Sequence, residues 1–260
     1  MTHKFNFFSI IPMIFFGILL SSNSYAEKGS QVFAGPEIYF VKRTKEGGVE
    51  QHGNVYGIRV GYERVKRCKI YLGIDFLYAK GCLKGKLLDA HLKSNYTDIN
   101  LEERVGYTFE AKCGFRPSLT PFIGYGRIWE NNDYVLPSPA CFHFHNNFTY
   151  VPVGFLSRFF ACPSLSIGLN FKARFILDGK NKVSNDPNFD TMVQNYDEKI
   201  QYRVELPFCY NACLSGHEIG IDLIPFYEYR RYGKRANFPF DFLETKFVYY
   251  GATLKLAYLF

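Results

Sequence analysis

Apolar and polar residues alternate with a period of two along much of the chain, most clearly at its C-terminus. Val248, Tyr250, Ala252, Leu254, Leu256, Tyr258 and Phe260 occupy one parity, and Tyr249, Gly251, Thr253 and Lys255 the other. Successive side chains of a strand point to opposite faces, so this stretch predicts a strand with one apolar and one mixed face. The same alternation sets Ile70, Leu72, Ile74, Phe76 and Tyr78 against Gly73 and Asp75. It also sets Leu165, Ile167, Leu169, Phe171, Phe175 and Leu177 against Lys172 and Arg174. Ile200, Tyr202, Val204, Leu206 and Phe208 oppose Arg203 and Glu205, and Ile219, Ile221, Leu223, Tyr227 and Tyr229 oppose Asp222 and Glu228. Residues 32–42, 54–64, 96–109, 119–129 and 147–159 follow the pattern less cleanly, bringing the predicted strands to ten. Glu103 falls on the apolar parity of its segment, and Pro36, Pro121, Pro152 and Pro225 predict bulges or strand ends.

A soluble sandwich would also alternate, but three features favour a barrel. Many of the strands run ten residues or more, near the ~9–11 that a tilted membrane strand needs. The polar parity is rich in glycine and in charges of both signs, which suits a crowded interior. The connections also alternate in length. Those at 65–68, 110–118, 161–163 and 209–216 are tight, whereas those at 43–53, 80–95, 130–146, 178–199 and 231–245 are mostly long and polar. Outer-membrane barrels have short periplasmic turns and longer outer loops. The expected fold is therefore all-β, a transmembrane up-and-down antiparallel β-barrel of ten strands, with eight left open if two of the weaker segments belong to loops.

The N-terminus predicts the compartment. Lys4 precedes an apolar run over residues 7–20, and small residues follow at Ser24 and Ala26. This is the layout of a secretory signal cleaved near Ala26, too short to span a bilayer, leaving one barrel domain over residues 27–260. Composition agrees: the chain is 18% aromatic, with 27 Phe and 20 Tyr against 3 Met, which suits pleated surfaces and excludes a disordered chain. Its 21% of charged residues excludes a polytopic helical membrane protein. Net charge is +7 without a run of like charges, so nothing points to nucleic acid.

The C-terminal stretch Tyr250-Gly251-Ala252-Thr253-Leu254-Lys255-Leu256, with Tyr258 and the terminal Phe260, is similar to the assembly signal of outer-membrane barrels. With the signal sequence, the alternation and the loop asymmetry, the chain resembles the small Gram-negative outer-membrane β-barrel proteins of the OmpA/OmpW-like barrel class. The resemblance implies residence in the bacterial outer membrane, with outer-membrane lipid and the barrel-assembly machinery as partners.

Within that barrel, Glu37, Arg59, Glu63, Asp75, Glu102, Arg104, Lys172, Arg174, Arg203, Glu205, Glu218, Asp222, Glu228 and Lys255 fall on the inward parity. A ten-strand lumen is narrow, so these charges are expected to pair into a plug, or else to line a narrow water path. The seven cysteines divide by side. Cys68, Cys113, Cys162, Cys209 and Cys213 fall at short turns, hence periplasmic. There they serve as free thiols and local bridges, Cys209 with Cys213 for instance, or link the barrel to other envelope proteins. Cys82 and Cys141 fall in two outer loops, where a disulfide could join them.

In Cys141-Phe142-His143-Phe144-His145 the two histidines point the same way if the segment is extended. They would then hold a transition metal with a third ligand such as His91 or Asp133, or be ordinary loop residues. No motif joins Asp98, Asp133, Asp178 or Asp190 to a histidine as an omptin-like protease requires, and neither a serine hydrolase arrangement nor a phosphate loop is present. The expectation is a non-enzymatic barrel without cofactor, in a structural or surface-interaction role carried by its outer loops; a narrow channel and a barrel-embedded hydrolase are the alternatives.

Overall fold

The computed structural model describes residues 29–111, 117–162 and 164–260. The expected signal segment and Cys113 lie outside them. The described residues form strands β1 (Ser30–Lys45), β2 (Val49–Arg64), β3 (Ile70–Leu87), β4 (Ala90–Tyr107), β5 (Phe109–Glu110), β6 (Ser118–Tyr134), β7 (His143–Cys162), β8 (Leu165–Ile167), β9 (Asn170–Ser184), β10 (Met192–Asn195), β11 (Gln201–Glu205), β12 (Phe208–Leu214), β13 (His217–Tyr232) and β14 (Thr245–Leu259). These make ten staves, because β5 prolongs β4, β8 and β9 form one stave, and β10, β11 and β12 form another. Each stave pairs antiparallel with the next, and β1 closes the ring on β14 from Gln31↔Leu259 to Lys45↔Thr245. Closure leaves no edge strand, the condition for placing a sheet in hydrocarbon. No described helix is long and apolar enough to cross a membrane.

The predicted parities hold. Ile70, Leu72, Ile74, Phe76 and Tyr78 are exposed on the outside of β3, while Tyr71, Asp75, Leu77 and Ala79 are buried inside. Ile58, Leu101, Ile123, Val153, Phe171, Leu223, Leu254 and Leu256 continue the exposed apolar band around the ring. That band far exceeds the apolar patches of soluble monomers. Aromatic side chains gather at its two edges. Tyr202 stacks on Tyr229 and Phe40 lies against Tyr250 on the outer side, and Tyr258 stacks on Phe260 on the side of the chain ends.

The prolines sit where a lost N–H does least harm. The β1–β14 ladder is interrupted at Pro36. A bulge at Thr149/Tyr150 lies beside Pro152, and Pro121 lies where the β4 ladder ends. Pro225 faces the break between β11 and β12, accepting from the Leu206 amide at 3.0 Å.

Strand ends depart most from the expectation. The connections predicted at 43–53, 80–95 and 130–146 shrink to 46–48, 88–89 and 135–142, because β1 to β4, β6 and β7 continue past the apolar band. Above Tyr78 the outer face of β3 carries Lys80, Lys84 and Lys86, so the strand goes on after its hydrophobic signal stops. Eight such residues project the barrel wall roughly 20 Å beyond the band. On the opposite side, residues 209–216 are mostly strand β12 rather than turn.

Glu103 is exposed between Leu101 and Val105, across from Ile74 and Tyr125 in the apolar band. A carboxylate there is costly in lipid, so Glu103→Leu should stabilise the barrel by about 1 kcal/mol in urea unfolding from lipid vesicles. No gain would contradict the lipid exposure of this face.

Candidate functional site

The inward parity meets itself across a narrow lumen, and the charges named from sequence all lie on it. Ten of the fourteen are buried, and Arg104, Lys172, Glu205 and Lys255 are half-buried. Arg59 hydrogen-bonds Glu37 through Nε at 2.5 Å and also pairs with Asp75. Arg203 reaches Glu205 at 2.7 Å, Glu228 at 3.1 Å and Glu37 at 3.4 Å. Its guanidinium lies 3.7 Å above the Phe226 ring, a cation–π contact that shields it. Glu228 also accepts from Arg174 at 2.5 Å and Arg230 at 2.6 Å. Glu102 takes Lys172 at 2.8 Å and the Tyr150 hydroxyl at 2.8 Å.

Sequence reasoning missed the outer half of this network. Arg230 bridges Glu228 to Asp98 at 2.8 Å and to Glu130 at 3.3 Å. Glu130 further accepts from the hydroxyls of Tyr96, Tyr232 and Tyr249 at 2.9, 3.0 and 3.1 Å, and from Asn146 Nδ2 at 3.0 Å. Thr253 donates to Glu37 at 2.7 Å. Every stave thus contributes a side chain to one connected network: Glu37, Arg59, Asp75, Asp98, Glu130, Asn146, Arg174, Arg203, Glu228 and Thr253. Glu130 and Arg230 extend the parities of Ile128 and Glu228 by one step each, a signal the residue counts carried. Small residues make room: a Cβ on Gly126 would lie 2.2 Å from the Tyr150 ring.

Below the network, on the side of the chain ends, a cavity of about 70 Å³ is lined by Glu63, Arg104, Arg158, Lys172, Glu205, Cys209 and Lys255. It has room for a few water molecules.

Outside the barrel wall, above the apolar band, β6 and β7 place Asp133 directly across from His143, with His145 next on the same face. Asp133 Oδ1 is 3.3 Å from His143 Nδ1 and 4.0 Å from His145 Nε2. His91 pairs with Lys86 near the β3–β4 turn and is not part of this group. Elsewhere, Lys42 lies 2.7 Å from Glu50 in an exposed pair, and half-buried Glu244 is held below the usual carboxylate range by hydrogen bonds from Arg231 and Lys246.

The cysteines correct part of the sequence reading. Cys82 and Cys141 are both free, so no bridge joins them; Cys82 lies on the outward parity of β3, and β4 and β6 separate that strand from β7. Cys209 and Cys213 lie four residues apart along β12, about 13 Å for an extended chain, too far for a disulfide. Cys209 is buried inside the lumen rather than set in a turn. Cys68 and Cys162 are exposed at the end of the barrel where the described chain begins and ends.

A closed ten-stave antiparallel barrel with an apolar outer band and a charged interior is the architecture of outer-membrane β-barrels. Among solved structures, the outer membrane protease OmpT from Escherichia coli is similar at a TM-score of 0.57 and 9% identity, covering 92% of this chain and 99% of that one. The translocator domain of the autotransporter NalP from Neisseria meningitidis is similar at a TM-score of 0.51 and 10% identity, covering 96% and 93%. At such identities the likeness is one of fold. No protein-family model matches the chain, and no curated protein matches it.

Removing one partner from a buried ion network leaves the others uncompensated. Glu228→Ala should therefore destabilise the barrel by about 3 kcal/mol or more, whereas Glu50→Ala, at an exposed pair, should leave the urea midpoint within experimental scatter. Equal effects would mean that the interior is hydrated like a surface.

Proposed function

We propose that the protein resides in a bacterial outer membrane as a closed barrel that does not conduct, and that its role is structural or in surface interaction. The observation that carries this reading is the connected network from all ten staves, which fills the middle of the lumen. Strand extensions carry much of the outer surface, with tight connections at 46–48 and 88–89, while the longer segments 185–200 and 233–244 offer the loops that would carry specificity. Reconstituted wild-type protein should show no steady single-channel steps in planar bilayers. Arg203→Ala/Arg230→Ala protein that keeps heat-modifiable migration should show them. Steady steps from the wild type would favour a narrow channel. That second reading draws on the cavity below the network and on the buried side-chain oxygens of Asn132, Asn146 and Asn181, which accept no hydrogen bond from the protein.

A hydrolase has less support. The five described histidines lie on the outward parity or at the last turn, so none stands beside Asp98 or Glu130 at the mouth. OmpT is a protease, but at 9% identity it lends this chain its fold and no more.

The exposed thiols of Cys68 and Cys162 lie on the side read as periplasmic, where they can bridge to neighbouring envelope proteins. A membrane-impermeant maleimide should label Cys82 on intact cells, and Cys68 and Cys162 only after permeabilisation and reduction. Labelling of Cys68 and Cys162 without reductant would remove the covalent link.

A further inference from the structure

The face that carries Asp133, His143 and His145 lies outside the lumen and takes no part in the network. On β6 and β7, Trp129 pairs with Asn147 at the edge of the apolar band; the next outward rung is Asn131 with His145, and the next is Asp133 with His143. The cluster therefore stands above the band, where water and ions reach it. Its three ligating atoms lie within 4.8 Å of one another. Around a tetrahedral ion bound at ~2.0–2.1 Å, neighbouring ligand atoms are roughly 3.4 Å apart. Asp133 Oδ1 and His143 Nδ1 already stand at 3.3 Å, and Asp133 Oδ1 and His145 Nε2 at 4.0 Å.

Two further observations point to a ligand. Asp133 Oδ1, the atom facing both imidazoles, is buried and accepts no hydrogen bond from the protein. The approach of His143 at 3.3 Å therefore lacks hydrogen-bond geometry, and Oδ1 keeps its lone pairs free for an ion. Asn131 Oδ1 also lies 2.8 Å from His145 Nδ1. With the amide oxygen accepting, Nδ1 carries the hydrogen and Nε2 offers its lone pair towards Asp133. Such a hydrogen bond from the distal nitrogen is the usual device for orienting a histidine ligand.

We propose that Asp133, His143 and His145 bind one divalent transition-metal ion of the zinc class on the outer face of the barrel extension. Two neutral imidazoles and one carboxylate suit zinc, nickel, cobalt or copper better than the all-oxygen ions magnesium and calcium. Three protein ligands on a half-exposed face leave a coordination position open to solvent. In register, β4 places Asn95 beside Asp133 and β9 places Lys182 beside His145. The surroundings are thus not an acidic patch that would hold cations unspecifically. Asn131 is a positioning residue, acting through His145.

The test is calorimetric titration of tag-free, refolded barrel in detergent with Zn²⁺, and with Mg²⁺ for comparison, alongside the visible spectrum with Co²⁺. The wild type should bind one Zn²⁺ per chain and give ligand-field bands with Co²⁺, without response to Mg²⁺. His143→Ala/His145→Ala and Asp133→Asn should lose the site, and His52→Ala should keep it. Asn131→Leu should weaken Zn²⁺ by about 10–100-fold while retaining a cobalt spectrum. Heat-modifiable migration establishes that each variant is folded. Absence of one-to-one binding by the wild type, or unchanged affinity in the folded double variant, would overturn the proposal.

Discussion

Hydrocarbon offers no hydrogen bonds, and that constraint organises the molecule. Every backbone N–H and C=O inside the band has to find a partner in the sheet, which forces the ring to close through β1 and β14. Closure divides the side chains into two populations with opposite requirements. Those facing out need only be apolar, as Ile74, Leu101 and Leu254 are. Those facing in are enclosed by a narrow ring, where a charged side chain needs a partner.

Ion pairing solves the second requirement at a cost. Glu228 is shared by Arg174, Arg203 and Arg230, Glu37 by Arg59 and Arg203, and Glu130 by three tyrosines and Arg230. Planar guanidinium groups suit this sharing, because each presents several donors in fixed directions. The network ties staves that are far apart in sequence, such as β1 and β11 through Glu37 and Arg203, and stiffens the wall from within.

Much of this is legible in the sequence wherever the two faces differ in polarity. Ile70 to Tyr78 and Val248 to Phe260 announce both their strands and their orientation. Legibility ends where the outer face leaves the apolar band. Along Asn131, Asn132, Asp133 and Tyr134 both parities are polar or mixed, so alternation vanishes although the strand continues. That is why Glu130 reads as the start of a loop while belonging to the network, and why Arg230, at the last position before the predicted loop 231–245, is absent from the predicted inward set. The shared face of His143 and His145 follows from extended backbone alone. The choice of Asp133 over His91 requires the register of the β6–β7 hairpin, which a single sequence does not fix. Cys82 and Cys141 show the converse error, since a loop assignment invited a bridge that a strand between other strands does not form.

In an outer membrane the outward parity would face lipid up to a sharp edge, and the chain carries one native probe of that edge. Trp129 is its single tryptophan and lies on the outward face of β6, with Arg127 stacked 4.9 Å from its ring. Fluorescence quenching in vesicles containing lipids labelled at graded depths tests the placement directly. Strong quenching by labels near the headgroups, weaker quenching by labels at the bilayer centre and little by an aqueous quencher is the predicted result. A tryptophan quenched by the aqueous agent and untouched by every lipid label would contradict it.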